Sequence, residues 1–269
     1  MRYLLLSIGQ SLGIVFLAVL GVILGRWFAR LRGRVWLLGY AIPMVFVGII
    51  AVPRWLPRIE QIVPFKWIMA DRTEFALAAF LCTMFLSTPM YRLKQKRQRF
   101  AVILFMLFFT VRYSLLPFLS PAFEYSYLSG LQTKIDSNGV CLQSNGYNCG
   151  PAAAVTVLRR IGINAEEGDL AVQAHTTLFA GTPNDSLCLA IHRQYGAECR
   201  ILYDQDIEGL KGKEPFIAVV KFGFLVDHYV AVLAVNDEDI TLGDPLSGML
   251  KCTHEEFEKK WRRQVILVE

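Results

Sequence analysis

Four residues in the second half of this 269-residue chain have the types and surroundings that thiol chemistry needs. Cys149 stands in Asn148-Cys149-Gly150-Pro151, at the start of a helix expected over residues 148–161. Asn148 serves as the expected cap, Pro151 lies in the first turn and Gly162 is the stop. Peptide dipoles at a helix N-terminus favour a thiolate, the sulfur form that attacks carbon. The position is equally compatible with a small buried residue, which is what most free cysteines are. His228 opens the apolar strand His228-Tyr229-Val230-Ala231-Val232, where a histidine is often a hydrogen-bonded core residue. One hairpin later, after Asn236-Asp237-Glu238-Asp239 turns the chain back, comes Gly243-Asp244-Pro245. Asp244 can therefore return beside His228, fix the imidazole tautomer and stabilise the imidazolium. Gln143 is a fourth candidate, because an amide N–H near a nucleophile can stabilise a developing oxyanion. His175, His192 and His254 lie in polar surroundings and are read as solvated.

The elements that must position these residues form an α+β layout from Gly139 onward. Helices are expected over 148–161, 167–175 and 185–195, the third following the turn Gly181-Thr182-Pro183-Asn184 and ending at Gly196. β-branched and aromatic residues then mark strands over 199–203, 216–220, 228–235 and 240–242. A short helix over 255–261 and a strand over 264–268 complete the pattern, and helices followed by strands predict an antiparallel sheet. Cys141, Cys188, Cys199 and Cys252 form an even set suited to disulfides in an oxidising compartment, and Cys188 with Cys199 is the first pairing expected. Scattered histidines and the lack of a Cys-x-x-Cys argue against a zinc site, and no metal or cofactor is expected.

The first 121 residues are a different material. Uncharged runs over 3–25, 35–52 and 75–91, and a fourth over 100–119 interrupted by Arg112, predict a bundle of about four transmembrane helices. Residues 122–138 read as a linker and 139–269 as the second domain. Arg26, Arg30, Arg32 and Arg34 follow the first run, and Arg92, Lys94, Lys96, Arg97 and Arg99 follow the third. These nine basic residues compare with five in the N-terminus and second loop: Arg2, Arg54, Arg58, Lys66 and Arg72. The positive-inside rule then puts the two richer loops in the cytoplasm and the C-terminal domain outside a bacterial inner membrane. Arg112 is expected to snorkel outward or pair with Glu74, and Trp55 and Trp67 to lie in an interfacial segment. The net charge of +5 is thus a topology signal. No aromatic-interleaved basic stripe, Walker loop or dinucleotide turn points to nucleic acid or nucleotide.

In combination, Gln143–Ala154 (QSNGYNCGPAAA), Gly181-Thr182, Asp227-His228-Tyr229-Val230, Gly243-Asp244-Pro245 and Glu256-Phe257 with Trp261 resemble the double-glycine leader peptidases. These are papain-like cysteine proteases that trim bacteriocin and peptide-pheromone precursors. The resemblance spans about residues 139–269. It implies Cys149 as nucleophile, His228 as base, Asp244 as its orienter and Gln143 as an oxyanion donor, with a leader peptide as substrate and a separate exporter as partner. Two features depart from the family pattern: the membrane spans precede the peptidase domain, and Asn148 stands where an acidic residue is common. The same triad could act on a non-peptide amide or in transacylation, or a retained fold could serve as a catalytically silent peptide-binding or sensor module.

Overall fold

The computed structural model describes residues 2–56, 59, 62–63, 65–68, 72–223 and 226–269. The expectation for Trp55 and Trp67 falls outside the described side chains. The chain divides into two compact units, one of Met1–Ile59 with Val63–Phe123, the other containing Glu124–Glu269.

The first unit is helical. Helices α1 (Arg2–Ala29), α2 (Leu38–Trp55) and α3 (Thr73–Met90) are followed by α4 (Lys96–Phe109). The last continues through one π-helical turn, Thr110–Leu115, to Leu119. Among the described residues, four segments, 6–29, 35–52, 73–90 and 96–119, are long and apolar enough to cross a membrane. Helices in lipid gain little from burying apolar surface against one another, so close association needs small residues that let the backbones approach. α1 supplies them as Gly21 and Gly25. A Cβ on Gly25 would meet Ser87 Oγ and lie 2.5 Å from the Met84 carbonyl, and one on Gly21 would meet Thr83 Oγ1 and the Phe80 carbonyl. The hydroxyls at this seam are satisfied within their own helix, Thr83 donating to Ala79 O at 2.8 Å and Thr88 to Met84 O at 2.8 Å.

The two richest basic clusters meet at one end of this bundle. The Arg26 guanidinium lies 4.8 Å from the Tyr91 ring, and Arg92 lies 4.2 Å from the Trp36 ring while donating to Leu31 O. Arg112 sits in the π-helical turn against the Tyr113 ring.

The second unit begins in the stretch read as a linker, which carries helix α5 (Pro121–Ser129) and strand β1 (Lys134–Ile135), paired with β2 (Cys141–Leu142). Next come α6 (Cys149–Arg160), α7 (Glu167–Gln173) and α8 (Asn184–Tyr195). α6 is buried from Cys149 through Leu158, and Gly162 leaves it with φ 89°, a conformation that only glycine adopts without strain. The remaining elements are β3 (Cys199–Leu202), β4 (Phe216–Gly223), β5 (Val226–Val235), β6 (Asp239–Asp244), β7 (Gly248–Thr253), helix α9 (His254–Lys260) and β8 (Trp261–Val268).

These strands form one antiparallel sheet in the order β3-β8-β4-β5-β6-β7. Ile217, Val219, Tyr229, Ala231 and Ile266 pack with α6, while Phe216, Ala218, Val230, Val232 and Val265 pack with Phe257 and Trp261. Burial on both faces explains why β4 and β5 read as continuous apolar runs rather than alternating ones. The fold is therefore the expected helical bundle plus an α+β domain. Cys188 on α8 and Cys199 on β3 form a disulfide across a Cα separation of 5.4 Å, while Cys141 and Cys252 are free.

Candidate active site

Three elements bring Cys149, His228 and Asp244 together. α6 presents Cys149 from its first residue, β5 carries His228 near its beginning, and β6 ends on Asp244. His228 Nε2 lies 2.7 Å from Asp244 Oδ1, and the imidazole also hydrogen-bonds the Cys149 thiol. With Nε2 engaged by the carboxylate, Nδ1 is the nitrogen left for the sulfur. Asp244 Oδ1 is itself held by the Leu246 N–H at 2.9 Å. Desolvation of the ring opposes the imidazolium, yet the hydrogen bonds to Asp244 and Cys149 outweigh it and raise the His228 pKa to about 9. For Asp244, burial pushes the carboxyl up, but the bonds from His228 and the Leu246 N–H prevail and hold it below its ordinary value. Cys141, by contrast, is pushed up to about 12 by burial and then by the nearby Glu167 carboxylate, so it remains an unreactive thiol.

Because His228 keeps its proton up to about pH 9 in the folded domain and only to about 6.5 when unfolded, this group's stabilisation is complete below pH 6.5. It is lost as the pH rises through about 9. The expected pH profile of kcat/KM for peptide cleavage therefore has its falling limb near pH 9, where the acid is titrated. A falling limb between pH 6 and 7 would contradict the arrangement.

Gln143 is tied by its backbone to the residue that follows Asp244, its N–H donating to Pro245 O at 2.9 Å. The side-chain Nε2 donates one proton to Asn145 O at 2.6 Å, which leaves the second amide N–H for another acceptor. Asn148 departs from its expected role. It holds the N-cap position with φ −100° and ψ 16°, away from the extended backbone that aims a capping oxygen at the next turn, and makes no cap bond. Its side chain is fully buried, with Oδ1 and Nδ2 lacking hydrogen-bond partners among the described residues.

Sequence reasoning missed the polar support behind the nucleophile. The Tyr229 hydroxyl lies 2.8 Å from Thr182 O and contacts Asn184 Oδ1, while Asn184 Nδ2 donates to Gln264 Oε1 at 2.9 Å. Burial raises Tyr229 well above the usual phenol range, so it stays a neutral donor. This network fixes the Gly181-Thr182 turn against α6, where a Cβ on Gly150 would come within 3.1 Å of Thr182 Cβ. The adjacency of Tyr229 to His228 was the one available signal. The exposed Phe222 ring lies 5.5 Å from the His228 ring, and Tyr147 and Leu246, each two residues from Cys149 or Asp244 in sequence, are also exposed. Of the other histidines, His192 faces Ala197 O and His254 faces Asn236 O. Among the described residues, no group of three or more metal-ligating side chains is assembled.

A cysteine opening a buried helix, set against a histidine on an antiparallel sheet, defines a papain-like cysteine peptidase domain. Through residues 137–269 the chain belongs to the peptidase C39 family. It is 39% identical over 127 residues to an uncharacterized protein of Methanothermobacter marburgensis, covering 47% of this chain and 85% of that one. An uncharacterized protein of Methanothermobacter thermautotrophicus is 29% identical over 139 residues, with coverage of 52% and 94%. Among solved structures, the peptidase domain of Streptococcus ComA, a bi-functional ABC transporter involved in quorum sensing, is 25% identical with a TM-score of 0.43, covering 47% of this chain and 94% of that one. A double glycine motif protease from an AMS/PCAT transporter, solved with its leader peptide, is 23% identical with a TM-score of 0.42 and coverage of 51% and 92%.

Proposed function

We propose that this chain is a membrane-anchored cysteine endopeptidase that cleaves a peptide of the leader type. The observation that carries the reading is the Cys149–His228–Asp244 constellation, in which the 2.7 Å His228–Asp244 contact leaves the other imidazole nitrogen for the thiol. Cys149 sulfur attacks the scissile carbonyl carbon, and the carbonyl π electrons move onto oxygen. The free N–H of Gln143 and the Cys149 backbone N–H stabilise that oxyanion. Collapse expels the amine, which takes its proton from His228, and leaves a thioester. His228 then deprotonates the water that hydrolyses it, while Asp244 holds the ring throughout. The peptide would reach this site from a separate exporter.

The domain would face the outside of a bacterial inner membrane. The excess of basic residues in the first and third loops supports that side, as does the Cys188–Cys199 disulfide, since such bonds persist in oxidising compartments.

The test is labelling of the full chain in membranes with a peptidyl electrophile that ends in Gly-Gly. Wild type should form an adduct at Cys149 that is absent from Cys149→Ala, and a membrane-impermeant form of the probe should label intact cells. Should Cys149 react no faster than Cys252, the peptidase reading is lost. Labelling only after permeabilisation would place the domain on the cytoplasmic side.

A further inference from the structure

The loop from Gln143 to Tyr147 carries the amide assigned above to the oxyanion, yet little of its conformation is set by regular secondary structure. Its anchor is a carboxylate. Glu167, at the first position of α7, is fully buried. Its Oε1 accepts from the Ser144 N–H at 2.9 Å and its Oε2 from the Ser144 hydroxyl at 2.6 Å. The Glu167 backbone N–H donates to Thr133 Oγ1 at 2.8 Å, and the Ser144 hydroxyl also lies 3.3 Å from Gln132 O. The residue after it packs as tightly: a Cβ on Gly168 would come within 2.8 Å of Leu128 O. Segment 128–133, the loop and the start of α7 are thus locked together at one point.

The loop in turn orients Gln143. Asn145 O, one residue beyond the clamped Ser144, takes one proton of the Gln143 amide and so aims the other. Asn145 Oδ1 accepts the Tyr147 N–H at 2.9 Å and closes the turn two residues before Cys149. We propose that Glu167 is a positioning residue for the oxyanion site, holding Ser144 so that Asn145 and hence the Gln143 amide stay in place. The proposal rests on the peptidase reading above, in which Gln143 stabilises the tetrahedral intermediate. Glu167 touches neither the nucleophile nor its base, so it governs the carbonyl chemistry without governing the thiol.

Alkylation of a thiolate by iodoacetamide passes through no oxyanion, whereas peptide hydrolysis does, and this separates the two functions. In the full chain, Glu167→Leu removes both carboxylate acceptors for Ser144 and leaves Gln132 O alone for its hydroxyl. It should lower kcat for a Gly-Gly leader peptide by about 10- to 100-fold, part of the 10²–10³ attached to losing one oxyanion donor. KM should move by less than about twofold, and the rate of Cys149 alkylation by iodoacetamide should stay at the wild-type value. Glu167→Gln keeps an acceptor for the Ser144 N–H and a donor for its hydroxyl, and should restore most of the turnover. If Glu167→Leu cleaves as fast as wild type, or if alkylation falls in step with turnover, the positioning role is overturned. A wild-type protein that neither cleaves nor shows an activated Cys149 instead defeats the peptidase reading itself.

Discussion

Replacing His228 with alanine is expected to slow peptide cleavage by about 10³–10⁴-fold, toward the upper end of what a general acid–base contributes. The same substitution should remove the pH-dependent limb near 9, because the imidazole whose pKa is raised to about 9 beside Asp244 and Cys149 is gone. In the proposed mechanism two steps depend on this one side chain, deprotonation of the sulfur and protonation of the departing amine, so the expected fall is large. Cys149→Ala abolishes turnover altogether, since Cys141 is buried with its thiol pushed up to about 12 and cannot substitute. Single-turnover cleavage by the two variants and wild type, each at pH 7 and pH 10, checks this. A His228→Ala protein that retains more than a tenth of the wild-type rate would remove His228 from the chemistry.

The second large effect belongs to the membrane unit. Gly25→Leu places a side chain where even a Cβ would sit 2.5 Å from the Met84 carbonyl and against Ser87 Oγ, a clash with backbone that no rotamer avoids. α1 and α3 must separate, and the seam then loses contacts on both sides of the substitution. Overpacking of this kind costs about 1–3 kcal/mol, and Gly21→Leu should act in the same direction through Phe80 O and Thr83. Gly9→Leu and Gly13→Leu supply the control on the same helix, because a Cβ at either position meets nothing within 4 Å. Thermal unfolding in detergent should show the first pair lowered well below wild type and the second pair unchanged. Equal behaviour of the four variants would mean that α1 does not pack on α3 through this face.

The contrast among these glycines shows where sequence reading ends. Long apolar runs gave the spans, since length and lack of charge are local properties. Which glycine meets a neighbour is a property of two helices, and Gly9 and Gly13 have the same four-residue spacing as Gly21 and Gly25. In the second unit, α6 was legible from its small apolar residues and Gly162, and Cys149, His228 and Asp244 from their placement at element ends. β7 was not, because Met249, Leu250 and Lys251 on this edge strand are exposed and carry no alternation. β8 starts at Trp261, three residues before the expected 264, because Arg263 at φ 57° and a register shift opposite Ala218–Val220 break the period of two. Helix α5 buries only Leu128 and so lacks the apolar stripe that would have separated it from a linker. Glu167 left no trace, since a lone acidic residue at a helix start looks the same whether it faces water or holds a loop.

On the proposed reading, the position of β8 also bears on when the site is completed. This strand, last in chain order among the described strands, lies inside the sheet between β3 and β4 rather than at an edge. During synthesis, Cys149, His228 and Asp244 all emerge before it, yet β4 has no partner on that side until the chain has been made through Val268. Closing such a pairing bears loop-closure entropy before the contacts reward it. On the proposed reading, the Cys149 site is therefore framed on both sides of β4 only after β8 has been made and has inserted.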